Sequence, residues 1–113
     1  MKGKQFEIWT ADLNPRFGTE PGKTRPVIIV QSNLLNKLHP STLICPITTR
    51  IRKGVNILRV NIRKGTTGLK EESAIMIDQV RAVDNKRFIK KLGDLPIDKV
   101  EQLKENLKIV LDL

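Results

Sequence analysis

With 113 residues, 39% of them hydrophobic, the chain has room for one core and for one domain over 1–113. It has no run of about 18 apolar residues that would cross a membrane as a helix, and one cysteine permits neither an internal disulfide nor a thiolate metal cluster. The net charge is +9, yet all twelve acidic residues fall in 1–20 or 71–113, while 21–70 holds ten Lys and Arg and no carboxylate. Such a stretch attracts polyanions, with a solvated basic surface as the competing reading, and it argues against an enzyme built on paired carboxylates. The basic start Met1-Lys2-Gly3-Lys4 leads into no apolar signal core, so a cytoplasmic protein is expected.

In chain order, residues 5–13 alternate loosely and predict a first strand, with Phe6 and Ile8 on one face and Glu7, Trp9 and Ala11 on the other. Residues 14–24 are dense in turn formers and predict a mobile loop. Val27-Ile28-Ile29-Val30 is a β-branched run, hence a strand buried on both faces. Residues 33–41 read as a connection with one helical turn near 34–37, and 43–47 as a second buried strand in which Pro46 weakens the ladder or marks a bulge. A strand at 55–62, a turn at 64–68 and one continuous strand over 73–83 follow. After a short helical turn at 85–87 comes a brief strand ending near Gly93 and Asp94. From Ile97 the period changes: Val100, Leu103, Leu107 and Val110 or Leu111 mark an amphipathic helix started by Pro96 and packed on the core to its end. Short strands, turns and one terminal helix predict a mainly β fold, a small and partly closed barrel.

Three local patterns carry chemistry. In Gly18-Thr19-Glu20-Pro21-Gly22-Lys23-Thr24-Arg25-Pro26-Val27 a loop delivers Arg25 to the edge of a buried strand, and Pro26 restricts Arg25 to extended backbone. A planar guanidinium grips two phosphate oxygens and offsets the charge of a five-coordinate phosphorane; the plain alternative is an Arg25–Glu20 pair that pins the loop. In Pro46-Ile47-Thr48-Thr49-Arg50 adjacent hydroxyls at a strand end, followed by Arg50, Arg52 and Lys53, can donate to a scissile phosphate, although threonine has high β propensity and often simply ends a strand. Asp78-Gln79-Val80-Arg81 either reads a base edge or forms a buried network, and the network is favoured for Asp78 and Gln79.

Together with Ile8-Trp9, Asp12-Leu13-Asn14-Pro15, Glu72-Ser73-Ala74-Ile75-Met76-Ile77-Asp78-Gln79-Val80 and Leu92-Gly93-Asp94-Leu95, these patterns resemble the MazF/PemK (Kid) toxin family nearly end to end. The resemblance implies an SH3-like β-barrel of the CcdB/PemK kind, a homodimer, and cleavage of short single-stranded RNA sequences by 2′-hydroxyl attack. A cyclic phosphate and a 5′-hydroxyl result, with no metal or other cofactor. It also implies an antitoxin partner whose acidic, disordered tail covers the basic groove. The family's catalytic Arg and Thr fall on Arg25 and Thr48; its Gly-Ser-Glu loop is Gly18-Thr19-Glu20 here, with the hydroxyl kept. Arginine stays protonated, so Arg25 is expected to clamp the phosphorane or protonate the leaving oxygen, with Glu20 as a weak candidate base.

Phe17, Thr19, Lys23, Thr49, Arg50, Arg52, Lys53, Gln79 and Arg81 are the candidate RNA contacts. Phe17 is the better stacking aromatic because Trp9 sits in mid-strand. Arg81, Lys86 and Arg87 form a second basic cluster that either tracks phosphates or is simply solvated. His39, the only histidine, is read as a surface loop residue and Cys45 as an inert core thiol. Two alternatives share the fold: a CcdB-like toxin that poisons gyrase by protein contact, and a non-catalytic RNA-binding module.

Overall fold

The β-branched run at 27–29 becomes the middle of a sheet, where a strand buries both faces. The computed structural model describes residues 3–52, 54 and 57–113. Among them the chain runs β1 (Glu7–Asp12), β2 (Thr24–Ile29), α1 (Asn33–Asn36), β3 (Ser41–Thr48), β4 (Arg59–Ile62), β5 (Ser73–Met76), β6 (Arg81–Asp84), β7 (Phe88–Asp94) and α2 (Ile97–Leu111), with 3-10 turns at Ile77–Gln79 and Asn85–Arg87. The strands pair antiparallel in the order β4-β5-β3-β2-β1-β7. β6 lies beyond the end of β5 on the same strand, β3. Ile8, Ile28, Cys45 and Ile75 share one core cluster with Val100 and Leu103 of α2, whereas Ala11, Val27, Ile29 and Ile44 form another with Trp9 and Phe88. Alternate residues of the same strands thus feed opposite faces, as expected for β1 and β2.

No pairing closes this sheet among the described residues, so the expected barrel is an open one: β4 and β7 stand at its two ends. The turn after β4 fills the gap instead. Gly68 has φ +77°, and a Cβ there would lie 2.5 Å from the Leu92 carbonyl oxygen, while a Cβ on Gly93 would lie 2.8 Å from the Thr67 carbonyl oxygen. Two glycines bring backbone against backbone where a strand pair would otherwise be needed.

Other expectations are corrected. The continuous strand over 73–83 is broken at Ile77–Gln79, because β3 changes partner: Ile47 and Thr48 face β5, whereas 41–44 face β6. Cys45 and Pro46 stand opposite that break, and Pro46 pairs with Val27 in regular register, without a bulge. The strand at 55–62 begins only at Arg59; Ile57 and Leu58 form a turn, and 55 and 56 lie outside the described residues. Val110 packs on the core, but Ile109, Leu111 and Leu113 are exposed, so the helix end is not wholly packed.

β1 carries one buried charge. Glu7 Oε1 accepts from the Lys4 N–H at 2.9 Å and from Trp9 Nε1 at 3.0 Å, and Oε2 stands 3.0 Å from Lys91 Nζ. Burial opposes ionisation of Glu7, yet the bonds from Trp9, Lys4 and Lys91 outweigh it and hold the carboxyl below its ordinary range. A carboxylate lowered in the folded state contributes stability that is full above its unfolded pKa, about 4.3, and disappears as pH falls through the folded value. Melting temperature against pH is therefore expected to drop less steeply below about pH 4.3 for Glu7→Gln than for the parent chain. An identical acid limb would remove Glu7 from the account.

Candidate active site

β2 and β3 run antiparallel with Val27 opposite Pro46 and Ile28 opposite Cys45. Carried on by two residues, that register sets Arg25 level with Thr48, and both side chains line one cleft. It is a space of about 570 Å³ between the β1–β2 loop, the end of β3, the start of β4 and the turn after β5. Its walls carry six cationic side chains, Arg16, Lys23, Arg25, Arg50, Arg52 and Arg59, against two carboxylates, Glu20 and Asp78. Asp78 is already engaged, with Oδ1 2.8 Å from Arg59 Nη1. The cleft is therefore strongly cationic and favours a phosphate-bearing ligand.

Arg25 is half-buried, and its Nε donates to the Gly22 carbonyl at 2.8 Å. This bond leaves the two terminal NH2 groups to face a ligand. Burial first, then the positive charges of Arg16 and Arg50, pull its pKa below the ordinary arginine value. A bound anion relieves that repulsion. Among the described residues no ion pair joins Arg25 to Glu20, so the loop-pinning pair is not formed.

Thr48 ends β3, paired with Ala74 across β5. Its Oγ1 accepts from the Arg50 N–H at 3.1 Å, which leaves the hydroxyl proton free to be donated. Thr48→Val keeps the shape and removes that donor. A single-turnover assay on single-stranded RNA is expected to show a loss of about tenfold or more, at about 1.4 kcal/mol per factor of ten, with no fall in melting temperature. A valine variant as fast as the parent would remove the hydroxyl from the reaction.

The β1–β2 loop is tied at its base. Lys23 N–H donates to Asn14 Oδ1 at 2.9 Å, and Leu13 N–H to the Lys23 carbonyl at 2.9 Å. Gly22 is buried under Arg16; a Cβ there would lie 2.7 Å from the Arg16 Cβ, so only glycine lets the two ends of the loop cross this closely.

Of the residues expected at the site, Arg25, Thr48, Glu20, Thr19, Lys23, Arg50, Arg52 and Gln79 line the cleft. Phe17 projects from the loop, 81% exposed, and Thr49 points to solvent; neither lines it. Arg81 lies on β6 opposite Ile44, away from the cleft wall, and Lys53 lies outside the described residues. Asn14, Arg16, Arg59, Met76 and Asp78 join the lining without having been expected there as RNA contacts. Arg16 and Asn14 lay in the flagged loop, so composition could have found them; Arg59 carried no local signal. Asp78 has the polar partner favoured for it, but at the rim of the cleft rather than in a buried network.

His39 is exposed in its loop, with Nδ1 held against Ser41. Cys45 is fully buried, and desolvation, followed by the negative charge of Asp78, pushes its thiol up to about 12, so it is inert at neutral pH. Among the described residues no group of three His, Cys, Asp or Glu side chains could hold a metal ion, and no helix is long and apolar enough to cross a membrane.

Known proteins resemble this chain over nearly its whole length. Endoribonuclease EndoA of Bacillus subtilis (strain 168) is 31% identical over 110 residues, covering 97% of this chain and 95% of that protein. Among solved structures, MazF from Deinococcus radiodurans superposes with a TM-score of 0.85 at 21% identity, covering 98% of this chain and 97% of that one. A MazE–MazF structure from the same organism gives 0.79 at 21%, covering 100% and 98%. Residues 4–111 match the family described as PemK-like, MazF-like toxin of type II toxin–antitoxin system, and the chain belongs to that family.

Proposed function

We propose that this chain cuts single-stranded RNA in the cationic cleft, with Arg25 and Thr48 acting on the scissile phosphate. RNA cleavage by the toxin of a toxin–antitoxin pair is the activity that family membership and the endoribonuclease relative support. The observation that supports the catalytic assignment is that Arg25 and Thr48 both line one cleft, at positions that the β2–β3 register, carried on by two residues, brings level.

The ribose 2′-oxygen attacks the neighbouring phosphorus, the bond from phosphorus to the 5′-oxygen breaks, and a cyclic phosphate and a 5′-hydroxyl result. The 2′-proton leaves to a base and the 5′-oxygen gains a proton. Arg25 offsets the charge of the phosphorane with paired N–H groups and can protonate the leaving oxygen. The Thr48 hydroxyl donates to a non-bridging oxygen. Glu20, the carboxylate of the cleft that Arg59 does not engage, is the candidate acceptor for the 2′-proton. Thr19, Lys23, Arg50, Arg52 and Gln79 take the flanking nucleotides. The proposed assembly is a homodimer, and the proposed regulator is an antitoxin with an acidic, disordered tail that lies in the cleft; the MazE–MazF structure supports an antitoxin partner.

The test is incubation of the purified chain with a long single-stranded RNA in EDTA, followed by mapping of the 5′ ends. Discrete cuts with 5′-hydroxyls are the expected result. Binding without cutting would replace the proposal with a non-catalytic RNA module, and gyrase-dependent DNA breaks would replace it with a gyrase poison.

A further inference from the structure

Arg87 closes the 3-10 turn before β7, far from the cleft in sequence. Because Phe88 pairs with Ala11, the preceding residue comes beside the end of β1. There Arg87 Nη1 donates to the Asp12 carbonyl at 2.9 Å and to the Asn14 carbonyl as well. Asn14 is itself bound at two further atoms: its N–H donates to Asp12 Oδ1 at 3.0 Å, and its Oδ1 accepts from Lys23 N–H at 2.9 Å. One residue before Lys23, the Gly22 carbonyl receives Arg25 Nε at 2.8 Å. A continuous path of hydrogen bonds and one peptide link thus runs from Arg87 to the guanidinium in the cleft.

We propose that Arg87 is a positioning residue: its clamp on the Asp12 and Asn14 carbonyls fixes the base of the β1–β2 loop and, through it, the direction of Arg25. The inference rests on the reading of the cleft as an RNA-cutting site. Its physical basis is the pair of carbonyls, Asp12 at the end of β1 and Asn14 just beyond it, that one guanidinium nitrogen bonds. One guanidinium satisfies both and so fixes the angle at which the chain leaves the sheet. Arg87 is half-buried and does not line the cleft, so it is badly placed to track phosphates. A site that must hold reacting groups near 3 Å loses about a hundredfold in rate for a displacement of about 1 Å.

The test compares the parent chain, Arg87→Ala, Arg87→Lys and Asn14→Ala. Saturating single-turnover cleavage is measured on a long single-stranded RNA, and equilibrium binding on its 2′-O-methyl counterpart across a salt series. Arg87→Ala is expected to slow the saturated rate by about ten- to a hundredfold, leave the salt slope of binding unchanged, and speed tryptic cutting after Arg16 and Lys23. Arg87→Lys, which keeps a donor but not the fork, should recover part of the rate. Full-rate cleavage by Arg87→Ala would overturn the proposal. So would a loss confined to affinity with the salt slope lowered by about one, the signature of a phosphate contact.

If the alanine variant does not fold, Arg87→Lys combined with Asn14→Ala carries the test. A double loss no larger than the greater single loss supports one shared path, and losses that multiply refute it. Failure of the parent chain itself to cut RNA would sink the cleavage reading and this inference with it. Cutting by the parent and by Arg87→Ala alike would sink the inference alone.

Discussion

Replacing Arg25 with alanine is expected to slow RNA cleavage about a thousandfold, close to 4 kcal/mol of transition-state stabilisation at about 1.4 kcal/mol per tenfold. The size follows from the role proposed for the guanidinium in a half-buried position. In that role it would present two parallel N–H donors where charge grows on the phosphorane, and its Nε is already fixed on the Gly22 carbonyl, so little reorganisation would be needed. Binding should suffer far less, because five other cationic side chains still line the cleft. Arg25→Lys keeps the charge and loses the fork, so it should fall between alanine and the parent. Single-turnover rates at saturating protein, together with binding of a 2′-O-methyl RNA, separate the two effects. Cleavage by the alanine variant at the parental rate would remove Arg25 from the reaction.

The second large effect is on stability. Gly68→Ala places a methyl at φ +77° and 2.5 Å from the Leu92 carbonyl oxygen, a backbone atom that cannot swing aside. Positive φ costs about 1 kcal/mol for alanine, and the overlap adds to it, so a loss of about 3 kcal/mol and a fall of roughly 10 °C in melting temperature are expected. Gly65→Ala is the internal control. Its φ is +80°, but a Cβ there meets nothing within 4 Å, so only the conformational part should appear. Equal melting temperatures for the two variants would show that the 64–68 turn does not hold the open end of the sheet. Cleavage by the Gly68 variant below its melting range should stay near normal, since the turn lies away from the cleft.

The two effects differ in how far the sequence foretold them. Arg25 and Thr48 were legible as a pair only through their resemblance to a family, because each motif alone has a plain structural reading. The register, carried on by two residues from Val27 opposite Pro46, brings Arg25 level with Thr48. Gly68 was legible as a turn residue and no more. That Gly68 would meet Leu92, and Thr67 meet Gly93, depends on how the turn after β4 lies against β7.

By itself the sequence determined the local order of this protein. Uninterrupted β-branched residues at 27–29 place a strand between two apolar layers, the spacing of Val100, Leu103 and Leu107 gives the terminal helix, and 21–70 carries charge of one sign. These properties are periodic or additive along the chain, so they can be read from neighbours alone. Only the tertiary structure decided that the sheet stays open, that 73–83 breaks where β3 changes partner, that Arg59 meets Asp78 at the rim of the cleft, and that Arg87 holds the loop carrying Arg16 and Lys23. Each of these depends on a pairing between residues far apart in sequence. An apolar run states which faces are buried, but not which strand, or which carbonyl, it will meet.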